Sequence, residues 1–459
     1  MKASTSSSVL AAMMFGWLPT VVPGADFQPD PVAVQRFGPG YRYPQAGWIV
    51  IHIQGDAYER GVQHGRLLAL EIAAYVKCLA LLTNPKAPED SWKVTRSMCN
   101  ALFLRGFTAE QLQEMKGIAD GAAAAGARHE GHPVDLLDIL AINTFTEYES
   151  LDKALDVTPS SLAGRPDAAA KAAQKSSLKM QEQPKPSHCI SFAATAPVTK
   201  DGKVVFGHIT MFDAYPARFF NVWLDLQPNA GHRFVMQTYP GGIHSGMDYV
   251  ISDAGLMLGE TNISQTSFDI KGVPLASRIR QAIQYAGSIS DAAEILGSNG
   301  NGLAATEWVL ADAGKNETAL FTLGTRAKQL HLSSRNDWLA GTDGFYWSCN
   351  NSKDLEHRLE TLESLHGRPS PIGIFNPTTR DAIWLRRFER GKGTSGEDCA
   401  RDVLTNPSLV SAASVDAKYT TSDLARELKS WATFGPPVGS KTVPDPRAFK
   451  DRPDARTMV

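Results

Sequence analysis

The chain predicts an α+β layered fold, and three observations carry that expectation. A strand-like segment leads into several helical ones in the first third, a block of short strands follows Cys189, and strands and helices come in runs. With 459 residues, 43% hydrophobic and 20% charged, the chain is long enough for two packed domains or one large elaborated one.

Trp48-Ile49-Val50-Ile51-His52-Ile53 reads as a strand running into Gly55. A helical pattern begins at Ala57 and reaches about Leu82; Thr108 to Ala125 and Val134 to Tyr148 also carry apolar residues at three- and four-residue spacing. Gly55, Gly61 and Gly65 are too spread out for a phosphate-binding loop, which needs strand, glycine-rich turn and helix in direct order. From Asp156 to about Pro186 the composition shifts to Pro, Ala, Ser, Lys and Gln, as in a linker. Strands are then expected at Ile190–Ala196, Lys203–Thr210, Phe219–Leu226, Arg233–Tyr239, Asp248–Ser252 and Leu256–Glu260, separated by turns such as Asp201-Gly202 and Pro240-Gly241-Gly242. Helices at Leu275–Ala286 and Ser290–Leu296 come next, then strands at Glu307–Ala311, Glu317–Thr322 and Lys328–Ser333.

A net charge of −2 and the lack of any Lys/Arg cluster interleaved with aromatics argue against a nucleic-acid partner. The first two dozen residues carry Lys2, the apolar run Val9 to Leu18 and small residues near Ala25, which reads as a secretory signal peptide, with an uncleaved anchor as the alternative. No later segment approaches the roughly 18 apolar residues of a membrane span, so a secreted or periplasmic protein is expected. The chain thus divides into a signal peptide (1–25), an N-terminal strand and helices that form one unit with the last segment (26–155), a flexible linker or pro-segment (156–188), and a strand-rich fragment that opens at Cys189 (189–459).

That last boundary rests on Ser187-His188-Cys189-Ile190-Ser191-Phe192-Ala193, where the polar run stops at a cysteine and an apolar strand begins. Cleavage before Cys189 would put a thiol and a free α-amine on one residue. With an ordinary pKa of about 7.7–8.0, that amine can take the thiol proton without a separate histidine. The plainer reading is a small buried hydrophobe entering a strand. Five cysteines leave one over; if Cys189 is free, Cys78 with Cys99 and Cys349 with Cys399 either pair or stay as buried thiols. His64, His188, His208 and His244 follow no metal-ligand spacing, and no Gly-x-Ser-x-Gly elbow occurs, so neither a metal, another cofactor nor a serine triad is expected.

Several segments in one order are similar to the phospholipase B-like family: Gly207-His208-Ile209-Thr210, Tyr239 to Tyr249, Gly255 to Ile263, Leu275 to Arg280, Glu307 to Asp312, and Asp416-Ala417-Lys418. The Gly-Asp-x-x-Glu-Arg-Gly-x-x-His-Gly pattern from Gly55 to Gly65 resembles the isopenicillin N acyltransferase family, a sister group. Both resemblances imply a four-layer αββα sandwich of the N-terminal-nucleophile hydrolase type, cleaved just before the catalytic cysteine. They also imply Cys189 as nucleophile and His208 as its partner, the other reading of His208 being a satisfied core histidine. By similarity to the choloylglycine hydrolases, Asn262 and Asn350 are the candidate oxyanion donors, each competing with a plain turn role. Met211 stands where the family carries Trp, and Ala305-Thr306 where it carries Asn-rich residues, which puts the pocket shape and the substrate in doubt.

The implied function is a self-processing cysteine hydrolase that cleaves an acyl ester or amide of a small, lipid-like substrate. Its rivals are an amidase or acyltransferase of the isopenicillin N type and a non-catalytic lipid-binding protein on the same fold.

Overall fold

Two β-sheets lie face to face between two layers of helix. The computed structural model describes residues 33–157, 189–435, 437 and 456–458, apart from 265, 267, 340, 341, 365–370, 407 and 411–413. The expected signal peptide and, from residue 158, the expected linker lie outside the described residues.

In chain order the first elements are β1 (Gln35–Phe37), β2 (Gly40–Gln45), β3 (Trp48–Gly55), α1 (Ala57–Leu67), α2 (Ala69–Thr83), α3 (Pro88–Leu102), α4 (Ala109–Ala124), β4 (Arg128–His129), β5 (His132–Pro133) and α5 (Leu136–Val157). After the linker come β6 (Ile190–Ala194), β7 (Val205–Ile209), α6 (Ala214–Ala217), β8 (Val222–Pro228), β9 (Phe234–Thr238), β10 (Tyr249–Ser252), β11 (Leu256–Ser264), α7 (Leu275–Tyr285), α8 (Ile289–Gly297), β12 (Ala305–Asp312), β13 (Glu317–Leu323) and β14 (Lys328–Leu332). The last are β15 (Phe345–Ser348), α9 (Leu355–Ser364), α10 (Pro371–Gly391), α11 (Glu397–Leu404), β16 (Asp416–Thr421), α12 (Ser422–Arg426), β17 (Trp431–Phe434) and β18 (Arg456–Met458).

The large sheet runs β1-β2-β3-β8-β9-β10-β11-β12-β13-β14, and the second runs β15-β6-β7-β16-β17-β18. Neighbours are antiparallel except β3 and β8, where the large sheet joins strands from the two sides of the linker. Strand alternation builds the layers. Trp48, Trp223, Tyr249, Ile251, Met257 and Val309 of the large sheet pack with Ala193, Phe206 and Tyr346 of the smaller one. Ile51, Leu224, Met236 and Leu258 point the other way, into the core formed with α1 to α5, α7 and α8. On the far side of the small sheet, Ile190, Phe192 and Ile209 meet Trp384 and Phe388 of α10 and Val403 of α11. These three cores give the αββα order that the resemblance implies.

The glycines at 61 and 65 have a packing role. A Cβ at Gly61 would sit 2.2 Å from Glu114 O, and one at Gly65 2.1 Å from Ile118 O, while Gly117 and Gly121 of α4 face Tyr58 O and Val62 O at 2.3 and 2.4 Å. Helices α1 and α4 therefore cross backbone to backbone, and no flexible side-chain tip is available to yield. Gly65→Ala is expected to destabilise the fold by at least the roughly 1–3 kcal/mol of an overpacked core, read as a lower thermal midpoint in circular dichroism.

Two expectations need correction, and one choice left open by the sequence is decided. The helix predicted from Ala57 to Leu82 breaks at Leu68 (φ −120°, ψ 22°), which separates α1 from α2. The linker expected from 156 begins later, because α5 is helical through Val157. All five cysteines are free thiols, so neither disulfide pairing is formed. Helix α3 adds to the expected elements; Pro88 at its first turn, followed by Glu89 and Asp90, is a start signal for it.

Candidate functional site

Cys189 is the residue immediately before β6, half-buried, at one end of the space between the sheets. In the β6/β7 ladder Ile190 pairs with Ile209 and Ser191 with His208, so the next step of the register sets Cys189 beside Thr210. Across β7, His208 pairs with Lys418 of β16. The period of two then aims Cys189, His208, Thr210, Asp416 and Lys418 at the large sheet, whereas Ile190, Ile209, Ala417 and Tyr419 face the outer helices.

The Cys189 sulfur, a ring nitrogen of His208 and a carboxylate oxygen of Asp248 all lie within 4.8 Å of one another. His208 is buried, and its Nε2 donates to Glu260 O at 2.9 Å. A carbonyl can only accept, so Nε2 carries the proton and Nδ1 keeps a lone pair; Nδ1 has no hydrogen-bond partner. Burial, reinforced by Lys418, holds the ring well below its ordinary pKa, so it is a neutral base at physiological pH. Burial also pushes the Cys189 thiol far up, with the Asp248 charge adding to the effect. In this setting the thiol needs a base or a cation beside it to become a nucleophile.

Asp248 holds a left-handed backbone (φ 56°), and its carboxyl is hydrogen-bonded to that of Glu260. Burial raises Asp248 from 3.8 to about 6, and burial together with the Asp248 charge lifts Glu260 well above the usual range. Two carboxyls in contact hold a proton between them. The folded protein binds that proton more tightly than the unfolded chain, so stability falls as pH rises from about 4 through about 6. Asp248→Asn is therefore expected to gain thermal stability relative to wild type as pH rises through that window. Parallel thermal melts of both proteins across it check the sign.

The lower rim of the site is organised by Arg380 of α10. Its Nη1 donates to Cys189 O at 2.9 Å; its Nη2 donates to Cys349 O at 2.6 Å and to Asn350 Oδ1 at 3.1 Å. Asn350 takes a left-handed backbone (φ 61°), and its Nδ2 donates to Asn262 O at 2.6 Å, leaving one amide N–H uncommitted in that bond. Of the residues expected from sequence, Cys189 and His208 are thus in one cluster and Asn350 is tied to Cys189 through Arg380. Asn262 joins through its main-chain carbonyl. Its side chain alternates onto the β11 face of Leu258 and Glu260, opposite Gly259, whose missing Cβ faces Ser191 Oγ.

Sequence reasoning missed Asp248, Glu260 and Arg380, which come from distant elements. A charged pair at alternating positions in an otherwise strand-like run, Asp416 and Lys418, was a readable signal. Of the other histidines singled out in the sequence, His188 lies outside the described residues, and two have core roles: His64 Nε2 accepts from Gly241 N at 3.0 Å and His244 Nε2 meets Tyr239 Oη at 2.9 Å, and burial lowers each pKa to about 4. The Cys189, His208 and Asp248 donors lie close together without any metal-ligand spacing in the sequence. His132, Asp135 and Asp138 lie together too, but Arg96 already pairs with both carboxylates, at 2.5 and 3.3 Å.

Comparison with known proteins adds three findings. An uncharacterized protein of Archaeoglobus fulgidus is 29% identical over 274 residues, which is 56% of this chain and 40% of the relative, so the chain spans well under half of that relative's length. The solved structure of penicillin V acylase from Agrobacterium tumefaciens is similar over 54% of this chain and 83% of that one, with 11% identity and a TM-score of 0.27. The family model described as Phospholipase B matches residues 98–322. That segment, which holds Cys189, His208, Asp248, Glu260 and Asn262, is similar to the phospholipase B family.

Proposed function

We propose that this protein is a self-processing cysteine hydrolase that cleaves an acyl ester or amide of a lipid-like substrate through an acyl-enzyme on Cys189. The observation that carries the reading is the convergence of the Cys189 sulfur, a His208 ring nitrogen and an Asp248 oxygen within 4.8 Å at the entry to an inner strand. The phospholipase B match over residues 98–322 supports the hydrolase class.

In maturation the Cys189 thiol attacks the carbonyl carbon of residue 188. A C–S bond forms, the C–N bond breaks as the nitrogen takes a proton, and water hydrolyses the thioester. Before the cut, Cys189 has no free amine, and the bare Nδ1 of His208 is the base at hand. After it, the α-amine takes the thiol proton. The thiolate then attacks the substrate's acyl carbon, and the amine returns the proton to the departing alcohol or amine. Water hydrolyses the second thioester to free acid and thiol. Asn350 is the candidate donor to the oxyanion, through the N–H left over from its bond to Asn262 O, and Asn262 serves by holding Asn350 in place.

A panel of phospholipid and lysophospholipid esters and N-acyl amides, followed by intact mass, tests the reading. It expects free acid as product and an acyl mass increment on the Cys189 peptide. Transfer of the acyl group to an added amine instead of water would favour the acyltransferase reading. Lipid binding without product and without an adduct would leave only a binding role.

A further inference from the structure

The Asp416-Ala417-Lys418 run has no part in the mechanism above, yet its lysine is fully buried at the site. Lys418 Nζ donates to Asp416 Oδ1 and to Thr210 Oγ1, each at 2.6 Å. Thr210 Oγ1 in turn donates to Met247 O at 3.3 Å, so its hydroxyl hydrogen is spent and it can only accept from the lysine. Asp416 is itself fixed from both sheets: Oδ1 accepts from Thr210 N at 3.0 Å and Oδ2 from Gln237 Nε2 at 2.8 Å. An ammonium has three donors, and these partners use two. The third is free beside Thr210, the residue that the ladder sets next to Cys189.

We propose that Lys418 is the cation that holds the Cys189 thiolate, placed by the Asp416–Thr210 bracket so that its charge acts on the nucleophile from across β7. The assignment rests on Cys189 being the nucleophile. Of the other charged groups around Cys189, His208 is neutral, Asp248 and Glu260 are acids, Asp416 is committed to the lysine, Arg380 binds the main-chain carbonyl of Cys189 and not its sulfur, and the α-amine exists only after the cut. Lys418 also sits 5.8 Å from the Tyr249 ring centre, which favours a cation. A charge buried this deeply without a role costs folding free energy, and here it is bonded to Thr210, the ladder neighbour of the one thiol whose ionisation the reaction needs.

The test is the pH profile of Cys189 alkylation by iodoacetamide, located by peptide mapping, which reads the thiolate without any substrate. Wild type, Lys418→Met, Lys418→Arg and Thr210→Val are compared in the same processing state. Lys418→Met is expected to raise the midpoint by about one pH unit or more, which slows alkylation about tenfold at neutral pH, while Lys418→Arg stays near wild type. Thr210→Val, which keeps the charge but loosens its bracket, is expected to raise the midpoint by less. An unchanged midpoint in folded Lys418→Met overturns the assignment. Should that variant fail to fold, an unchanged midpoint in Thr210→Val does so. If wild-type Cys189 reacts no faster than the other four cysteines at any pH, the nucleophile reading itself fails and takes the lysine's role with it. If Cys189 is selectively fast in every variant, only the lysine's role falls.

Discussion

Cys189→Ala is expected to abolish hydrolysis and self-cleavage together while leaving the fold intact. The substitution removes the only atom that can carry the acyl group in the proposed mechanism, so the rate is expected to fall about 10⁴-fold or more. Its structural cost is small. Arg380 grips the main-chain carbonyl of residue 189, not the sulfur, so the strand entry keeps its anchor. The thermal midpoint is expected to stay close to wild type, within the roughly 1 kcal/mol of a weak thiol contact. Steady-state rates and circular dichroism on the same preparation separate a lost nucleophile from a lost fold.

The largest expected effect on stability lies elsewhere, in the ion cluster between α1, α4 and α7. Glu114 is buried and accepts from Arg60 Nε at 2.7 Å and from Arg280 Nη1 and Nη2 at 2.9 and 2.8 Å. Both arginines are almost fully buried, and Arg280 also donates to Ile243 O at 2.8 Å, just ahead of the loop that carries Asp248. Glu114→Ala would leave two guanidinium groups facing one another with their shared carboxylate gone. Breaking a buried pair in this way typically costs about 3–5 kcal/mol. Urea unfolding of Glu114→Ala is expected to show a loss of that order. Arg60→Ala is expected to lose less, because Arg280 still satisfies both oxygens of Glu114.

Arg60 belongs to the Gly55-to-Gly65 pattern, which resembles a functional signature in sequence. In three dimensions its residues serve helix packing. Asp56 caps α1 at Glu59 N, Arg60 pairs with Glu114, Gly61 and Gly65 let α4 approach, and His64 holds Gly241 N. Such a pattern can recur because a helix crossing requires it, so it was legible as a motif but not as a role. The strands of the two sheets were legible for a plainer reason. Alternation across β3, β8 and β9 follows directly from burial on two different faces, and the turn residues between them punctuate it.

The site was legible only in part. Cys189 stood out because a polar run ended on it, and His208 through resemblance. Asp248, Glu260, Arg380 and Lys418 become neighbours of Cys189 through the order of strands in two sheets and one helix laid against them, which no local spacing encodes. Even in the resemblance-based assignment of Asn262, the atom that touches Asn350 is a backbone oxygen, which any residue at that position would provide.

The proposed chemistry stands most directly on the state of the bond before Cys189. Intact mass and N-terminal sequencing of the purified protein beside its Cys189→Ala variant measure it. Self-processing predicts two fragments from the unmutated chain, one beginning at Cys189, and a single uncut chain from the variant. An uncut wild-type chain at acid and neutral pH alike, or a cut that persists in Cys189→Ala, would contradict it.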